Sequence, residues 1–171
     1  ELAADLGVGI VDTAPGYGDS ESVLGAALAG AHSFQIVTKT PAFRTSKITR
    51  DHAELLELSL RESVARLRQD RIYGLLIHHA DDLLAPGGAF LIEAMERCVS
   101  RGLVNKIGVS VYTAEQIDGI LRRFTLESPS YRAACNEGIC GRIEAWIIEN
   151  AVERARVVRI SAIVNTQIGP S

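Results

Sequence analysis

Side chains capable of acid–base chemistry follow short apolar runs in this chain of 171 residues. Asp12 follows the run Gly9-Ile10-Val11, and Lys39, His78 and Ser110 occupy the same place after three later runs. A carboxylate, an amine, an imidazole and a hydroxyl in equivalent positions are hard to explain by packing, because an isolated buried charge costs free energy. The pattern predicts a polar site built from strand ends.

Tyr17 is predicted to join this site from the loop that follows Asp12, where one proline and two glycines shape a turn. A phenol has a pKa of about 10, so on its own it exchanges protons poorly at neutral pH. A nearby Lys39 ammonium favours the phenolate, and the Asp12 carboxylate keeps that lysine charged. We therefore expect Tyr17 to be a tuned acid, with His78 as a hydrogen-bond donor to the oxygen of a substrate.

The elements that must position these side chains alternate between strand and helix. Their strand ends lie 27, 39 and 32 residues apart. Strand–helix–strand crossovers have that length, which predicts a parallel α/β sheet. The strand-like runs cover 9–12, 34–39, 72–78 and 106–110, and the helix-period segments cover about 20–29, 49–68, 91–101 and 113–124. Ser20 is the expected N-cap of the first of these helices, and Thr113 and Gln116 form an expected capping box at the start of the last. A doubly wound sheet and a (β/α)8 barrel both fit, but no Gly-x-Gly-x-x-Gly turn follows the first strand. The barrel is favoured, and its strand ends would meet at one rim.

Composition excludes several classes of protein. The 18 basic and 21 acidic residues give a net charge of −3, so we expect neither a nucleic-acid nor a membrane partner. No run reaches the roughly 18 apolar residues that span a bilayer. The cysteines Cys98, Cys135 and Cys140 are odd in number and lack metal-ligand spacing, which predicts a reduced, cytoplasmic protein without a metal site. Cys98 is expected in a helix core.

A set of motifs, in order along residues 1–124, resembles the aldo-keto reductase family. They are Gly9-Ile10-Val11-Asp12-Thr13-Ala14, Tyr17-Gly18, Ser20-Glu21, Leu24-Gly25, Val37-Thr38-Lys39, Leu58-Ser59-Leu60, Leu75-Leu76-Ile77-His78, Gly102-Leu103-Val104 and Lys106-Ile107-Gly108-Val109-Ser110. The resemblance implies a partial (β/α)8 TIM-type barrel of parallel strands alternating with helices, whose first strand and last strands are missing. It also implies an NAD(P)H-dependent oxidoreductase that reduces small aldehydes or ketones, using NADPH or less often NADH.

In that resemblance each polar side chain of the rim has a role. Tyr17 protonates the carbonyl oxygen, Lys39 and Asp12 tune it, and His78 orients the carbonyl. Ser110 matches a residue that helps hold the nicotinamide carboxamide, so Asp12 and Ser110 are the expected cofactor-binding residues. Val111 stands where many members have Asn.

The remainder, residues 125–171, departs from the family and is treated as a divergent segment with a loop at 127–141, a helix at 143–156 and a strand-like run at 157–164. Exposed strand edges would then favour self-association. Two alternatives stay open. The chain is a truncated or frame-shifted, non-catalytic fragment, or it is a metal-dependent barrel hydrolase using Asp12, His78, His79 and Asp81. His79 is otherwise the less favoured histidine.

Overall fold

The computed structural model describes residues 8–28, 34–126 and 157–159, and in these ranges strands and helices alternate. The strands are β1 (Ile10–Asp12), β2 (Gln35–Lys39), β3 (Ile72–Ile77), β4 (Val104–Val109) and β5 (Val157–Arg159). The helices are α1 (Ser20–Ala27), α2 (Arg50–Leu67), α3 (Ala80–Leu84), α4 (Ala89–Ser100) and α5 (Ala114–Leu126). The strand–helix alternation predicted from the sequence is confirmed.

The described strands form one parallel sheet in the order β4-β3-β2-β1-β5. Asp12 lies opposite Val37, which is two residues before Lys39. Lys39 lies opposite Leu76, which is two residues before His78. Ile77 lies opposite Val109, which makes His78 and Ser110 neighbours just beyond two paired strands. Parallel pairing brings the carboxyl ends of all these strands to the same edge.

Helix α2 shows why the sequence folds as it does. Its buried residues recur at helical spacing on one face and pack into the core with the strands, namely Ala53, Leu56, Leu60 and Leu67. Burying each leucine contributes about 1.5–3 kcal/mol. The helix begins after Thr49, whose backbone N–H donates to His52 Nδ1 at 3.0 Å, and ends at Arg68 in the left-handed conformation. On α4, Cys98 is fully buried, as predicted.

Helix α1 differs in detail from the prediction. Ser20 was expected to cap it, but Asp19 is the N-cap and Ser20 is the first helical residue. The reason is that the Ser20 hydroxyl shares a hydrogen bond of 2.6 Å with Thr13 Oγ1 instead of bonding a helix N–H. Gly25 lets α1 approach α2 closely, because a Cβ there would lie 2.1 Å from the Arg66 carbonyl oxygen.

Two further predictions differ in outcome. The short helix α3 has no counterpart in the sequence prediction, whereas 157–159, within the predicted run 157–164, does form a strand beside β1. The predicted loop at 127–141 and helix at 143–156 lie outside the described residues. Among the described helices, none combines the length and the apolar character that a bilayer crossing requires.

Candidate active site

A buried ion pair joins the ends of β1 and β2. Lys39 Nζ donates to Asp12 Oδ1 at 2.7 Å and to Asp12 Oδ2 at 2.8 Å, and also to the Thr13 carbonyl oxygen at 2.9 Å. The lysine side chain is 4% exposed and that of the aspartate 12%. A lysine so deeply buried is tolerated because the carboxylate and the carbonyl replace its hydration. The predicted Asp12–Lys39 pairing is thus present in the structure.

Tyr17 lies above this pair on a tight turn. Its backbone N–H donates to the Ala14 carbonyl at 3.1 Å, and its carbonyl accepts from Ser20 N at 3.2 Å. Gly18 has a φ of 58°, a conformation that side-chain-bearing residues rarely adopt. The Lys39 ammonium is 4.9 Å from the centre of the Tyr17 ring, so the turn brings the phenol to the ion pair.

His78 completes the cluster from the end of β3. Its ring meets the Tyr17 ring edge-on, with centroids 5.8 Å apart and planes at 88°. Its backbone N–H donates to Thr40 Oγ1 at 3.1 Å. Burial lowers the pKa of His78, and the positive charges of Lys39 and then Arg44 lower it further, against an opposing effect of Asp12. The imidazole is therefore favoured in its neutral form, which carries one N–H donor.

Ser110 lies beside this cluster, at the end of β4. Its backbone N–H donates to the Ile77 carbonyl at 2.9 Å, which continues the pairing of β3 with β4 by one residue. The structure thus places Ser110 next to His78 at the same sheet edge. A hydroxyl there can donate or accept one hydrogen bond to a polar ligand group.

His79 and the acids after it form a separate arrangement. Asp82 is 1% exposed and accepts hydrogen bonds from the backbone N–H groups of Phe43 and Arg44, at 2.9 and 2.8 Å. His79 lies 3.5 Å from Asp82 and 3.9 Å from Asp81. In the ranges that the structure describes, no three His, Cys, Asp or Glu side chains are grouped as metal ligands would be. Asp12, the remaining residue of the hydrolase alternative, is paired with Lys39 on the neighbouring strand.

Sequence reasoning assigned no role to two buried acids near this edge, Glu21 and Asp82. Glu21 is part of the Ser20-Glu21 motif, and its side chain is 2% exposed. The signal in the sequence is a charged residue in the otherwise uncharged helix α1. Only the packing of the folded chain shows that this charge is buried. Asp82 lies on the unpredicted helix α3.

Comparison with known proteins decides the family. The model of the aldo/keto reductase family matches residues 1–160. The chain belongs to the aldo/keto reductase family. The match runs past residue 124, where the recognisable motifs end.

Individual relatives of this aldo/keto reductase chain agree. It is 31% identical over 160 residues to aldo-keto reductase family 1 member C21 of Mus musculus, covering 82% of this chain and 48% of that protein. It is 32% identical over 131 residues to NAD(P)H-dependent 6'-deoxychalcone synthase of Glycine max, covering 67% and 41%. The chain thus spans about half the length of the curated relatives it matches.

A solved structure extends the likeness to three dimensions. The aldo/keto reductase of Klebsiella pneumoniae, solved in complex with NADP and acetate, is similar with a TM-score of 0.57 and 27% identity, over 70% of this chain and 40% of that one. A similar structure of an aldo-keto reductase from Klebsiella pneumoniae was solved in complex with NADPH. The predicted partial (β/α)8 barrel is confirmed: β1 to β4 and their helices are a portion of the family's barrel.

Proposed function

We propose that this chain forms part of an NAD(P)H-dependent oxidoreductase that reduces an aldehyde or ketone to an alcohol, with Tyr17 as the proton donor. One observation carries the proposal: the Tyr17 ring lies against both the Lys39 ammonium, at 4.9 Å, and the His78 ring, at 5.8 Å. A phenol beside a buried cation is suited to losing a proton, because the cation stabilises the phenolate.

The proton step uses the phenol and the ion pair. As a hydride adds to the carbonyl carbon, the Tyr17 O–H bond breaks and its proton passes to the carbonyl oxygen, leaving the alcohol and a phenolate. Lys39 stabilises that phenolate through its charge, and Asp12 keeps Lys39 charged and in place. Solvent then returns the proton to Tyr17.

His78 orients the substrate in this proposal. Its lowered pKa favours a neutral ring, whose single N–H can donate to the carbonyl oxygen. A neutral donor holds the carbonyl without itself losing a proton, so Tyr17 stays the acid. His78 and Tyr17 would then contact the same oxygen from two sides.

NADPH, or NADH in its place, would supply the hydride when bound. The described residues fit the nicotinamide end of such a cofactor: a carboxamide offers one acceptor and one NH2 donor, and the Ser110 hydroxyl can bond either. Ser110 is also adjacent to His78, where the hydride acceptor would be held. Asp12 is the second proposed cofactor-binding residue, since its carboxylate has lone pairs beyond those that Lys39 uses.

The experiment is a titration of the 171-residue chain with NADPH, followed by fluorescence, and then a turnover assay with a panel of aldehydes and ketones. Tyr17→Phe is expected to bind NADPH like the parent chain and to lose turnover by about 100-fold to 10,000-fold, because general acid catalysis is removed. The matched control is Tyr73→Phe. Tyr73 also lies under a lysine, Lys106 at 5.2 Å, but at the opposite end of β3.

The outcomes separate the alternatives. Turnover in Tyr17→Phe equal to that of the parent chain would refute the proton-donor role. Absence of NADPH binding at millimolar concentration would instead favour the non-catalytic alternative for this chain and leave its family membership unchanged. Turnover lost equally in Tyr73→Phe would mean that the loss reflects folding.

A further inference from the structure

Glu21 is a buried acid for which the proposed reaction has no use. It lies in the first turn of α1, and both of its carboxylate oxygens are engaged. Thr38 Oγ1 donates to Glu21 Oε1 at 2.6 Å, and Arg66 Nε donates to Glu21 Oε2 at 2.8 Å. The acid therefore connects three elements, α1, β2 and the last turn of α2.

Glu21 and Ser20 bond residues that are adjacent in sequence to the Asp12–Lys39 ion pair. Thr38 immediately precedes Lys39 on β2, and the Ser20 hydroxyl is bonded at 2.6 Å to Thr13, which immediately follows Asp12. The start of α1 is thus tied at two points to the strand ends that carry the ion pair. Tyr17 lies in the turn between those strand ends and α1, and its carbonyl accepts from Ser20 N.

The alternation of side chains along β2 explains how this contact reaches the site. Successive residues of a strand point to opposite faces, so Thr38 meets the helix layer while Lys39 faces the Asp12 carboxylate. The hydrogen bond from Thr38 to Glu21 therefore fixes the end of β2 against α1 on the face opposite to Lys39. The Glu21 carboxylate thereby fixes the end of β2 relative to α1 and to the turn that carries Tyr17.

We propose that Glu21 is a positioning residue that sets Tyr17 against Lys39 and His78 through its bonds to Thr38 and Arg66. The effect of this positioning on turnover rests on the proposed function. Its effect on the placement of Tyr17 against Lys39 and His78 does not. An apolar side chain of equal size would fill the same space but leave the Thr38 hydroxyl and the Arg66 guanidinium without this partner.

Arg66 makes the arrangement more than a two-residue contact. It also donates to Ser63 and to Glu62 on its own helix, at 3.3 and 3.5 Å, so the guanidinium is anchored to α2 while it holds Glu21. The close approach of α1 to α2 at Gly25 keeps these groups within reach. The carboxylate is therefore held from the helix layer as well as from the sheet.

The test compares Glu21→Leu with Glu21→Gln. Leucine fills the volume without accepting hydrogen bonds, whereas glutamine can accept from Arg66 with its oxygen and donate to Thr38 Oγ1 with its NH2. The primary measurement is the nuclear Overhauser effect between the Tyr17 and His78 rings in a chain labelled at Tyr and His. We expect this cross-peak in the parent chain and in Glu21→Gln, and its loss in Glu21→Leu.

The matched control is Glu57→Leu. Glu57 lies on α2 and also forms ion pairs with arginines, here Arg97 and Arg101, but these pairs lie away from the strand ends. We expect this control to keep the cross-peak. If Glu21→Leu does not fold, Thr38→Val decides, because it keeps the side-chain shape and removes only the donor to Glu21. A cross-peak that persists in folded Glu21→Leu, or in Thr38→Val, would overturn the proposal.

Kinetics give the second readout. In Glu21→Leu we expect kcat to fall roughly 10- to 100-fold with little change in KM for NADPH, because misplacing an acid by about 1 Å has effects of that size. Glu21→Gln should restore kcat. If the parent chain turns over no carbonyl, the proposed function fails, yet the ring cross-peak still tests the positioning role.

Discussion

Lys39 and Asp12 illustrate how burial and charge must be satisfied together. The lysine is almost fully buried, and its ammonium bonds both carboxylate oxygens as well as a carbonyl. Such a pair is weak evidence of net stabilisation, since desolvation offsets the attraction of the charges. Removing only one of the two partners costs stability, because the charge of the other stays buried without its partner.

We predict that Asp12→Ala lowers the free energy of unfolding by about 3–5 kcal/mol. The double variant Asp12→Leu, Lys39→Met should lose less than Asp12→Ala alone, because no uncompensated charge remains. Urea denaturation measures both values. The control is Glu62→Ala, which removes the exposed pair with Arg66 and should cost at most about 1 kcal/mol. A double variant less stable than Asp12→Ala would contradict this account.

His78 predicts a dependence of stability on pH. Its pKa is lowered in the folded chain, so between that value and about 6.5 the unfolded chain binds more protons than the folded one. Stability from the neutral ring is therefore full above pH 6.5 and is lost as the pH falls toward the lowered pKa. The parent chain should lose stability relative to His78→Gln when unfolding is measured at pH 7.5 and then pH 5.5. A difference between the two proteins that does not change with pH would exclude this.

The short helix α3 has a structural task that its sequence does not display. Asp82 on α3 accepts two consecutive backbone N–H groups, of Phe43 and Arg44, in the segment that follows β2. Arg44 has a φ of 50°, so this segment needs such an anchor to hold an unfavourable conformation. Asp82 thereby holds the segment that follows Lys39 along the chain.

We expect Asp82→Ala to speed amide hydrogen exchange at Phe43 and Arg44 by at least about tenfold, because removing a buried acceptor costs about 1–3 kcal/mol. The amide of Thr40, which donates to the Leu76 carbonyl, serves as the internal reference. Asp81→Ala, one residue away and 60% exposed at its side chain, is the matched variant and should leave both rates unchanged. Equal exchange in all three proteins would show that Asp82 does not hold this segment.

At the element scale the long periodic segments were predictable and the short ones were not. Helix α2 has enough turns to show its apolar face in the sequence, whereas α3 has five residues, too few for any period to emerge. At α5, the predicted capping pair is half formed: Gln116 N donates to Thr113 Oγ1 at 3.3 Å. The Gln116 side chain instead accepts from Tyr112 N and donates to Asp81.

At the scale of the whole molecule, the sheet order sets which strands have one neighbour. Within the described residues these are β4 and β5, while β5 pairs with β1 in parallel. A strand edge without a partner can pair with another chain. The division of the chain at 124 and 125 stays a prediction, since most of the later segment lies outside the described residues.

We predict that the chain self-associates through these edges. Sedimentation velocity over a hundredfold range of protein concentration should show a sedimentation coefficient that rises with concentration. Asn105→Lys, at an exposed position of β4, should weaken this association because a charge on an edge strand opposes pairing. A monomer at every concentration would contradict the prediction.

The alternation of elements and the placement of polar residues after apolar strands follow from the amino-acid sequence alone. Because parallel strands converge at their carboxyl ends, that pattern alone predicts that Asp12, Lys39 and His78 share one edge. The contacts themselves come from the folded chain: Lys39 bonds both oxygens of Asp12, the turn brings the Tyr17 ring to Lys39, and Glu21 joins Thr38 to Arg66. Distance along the chain explains this division. These contacts join residues 17 to 45 positions apart, and packing of whole elements, not local periodicity, brings them together.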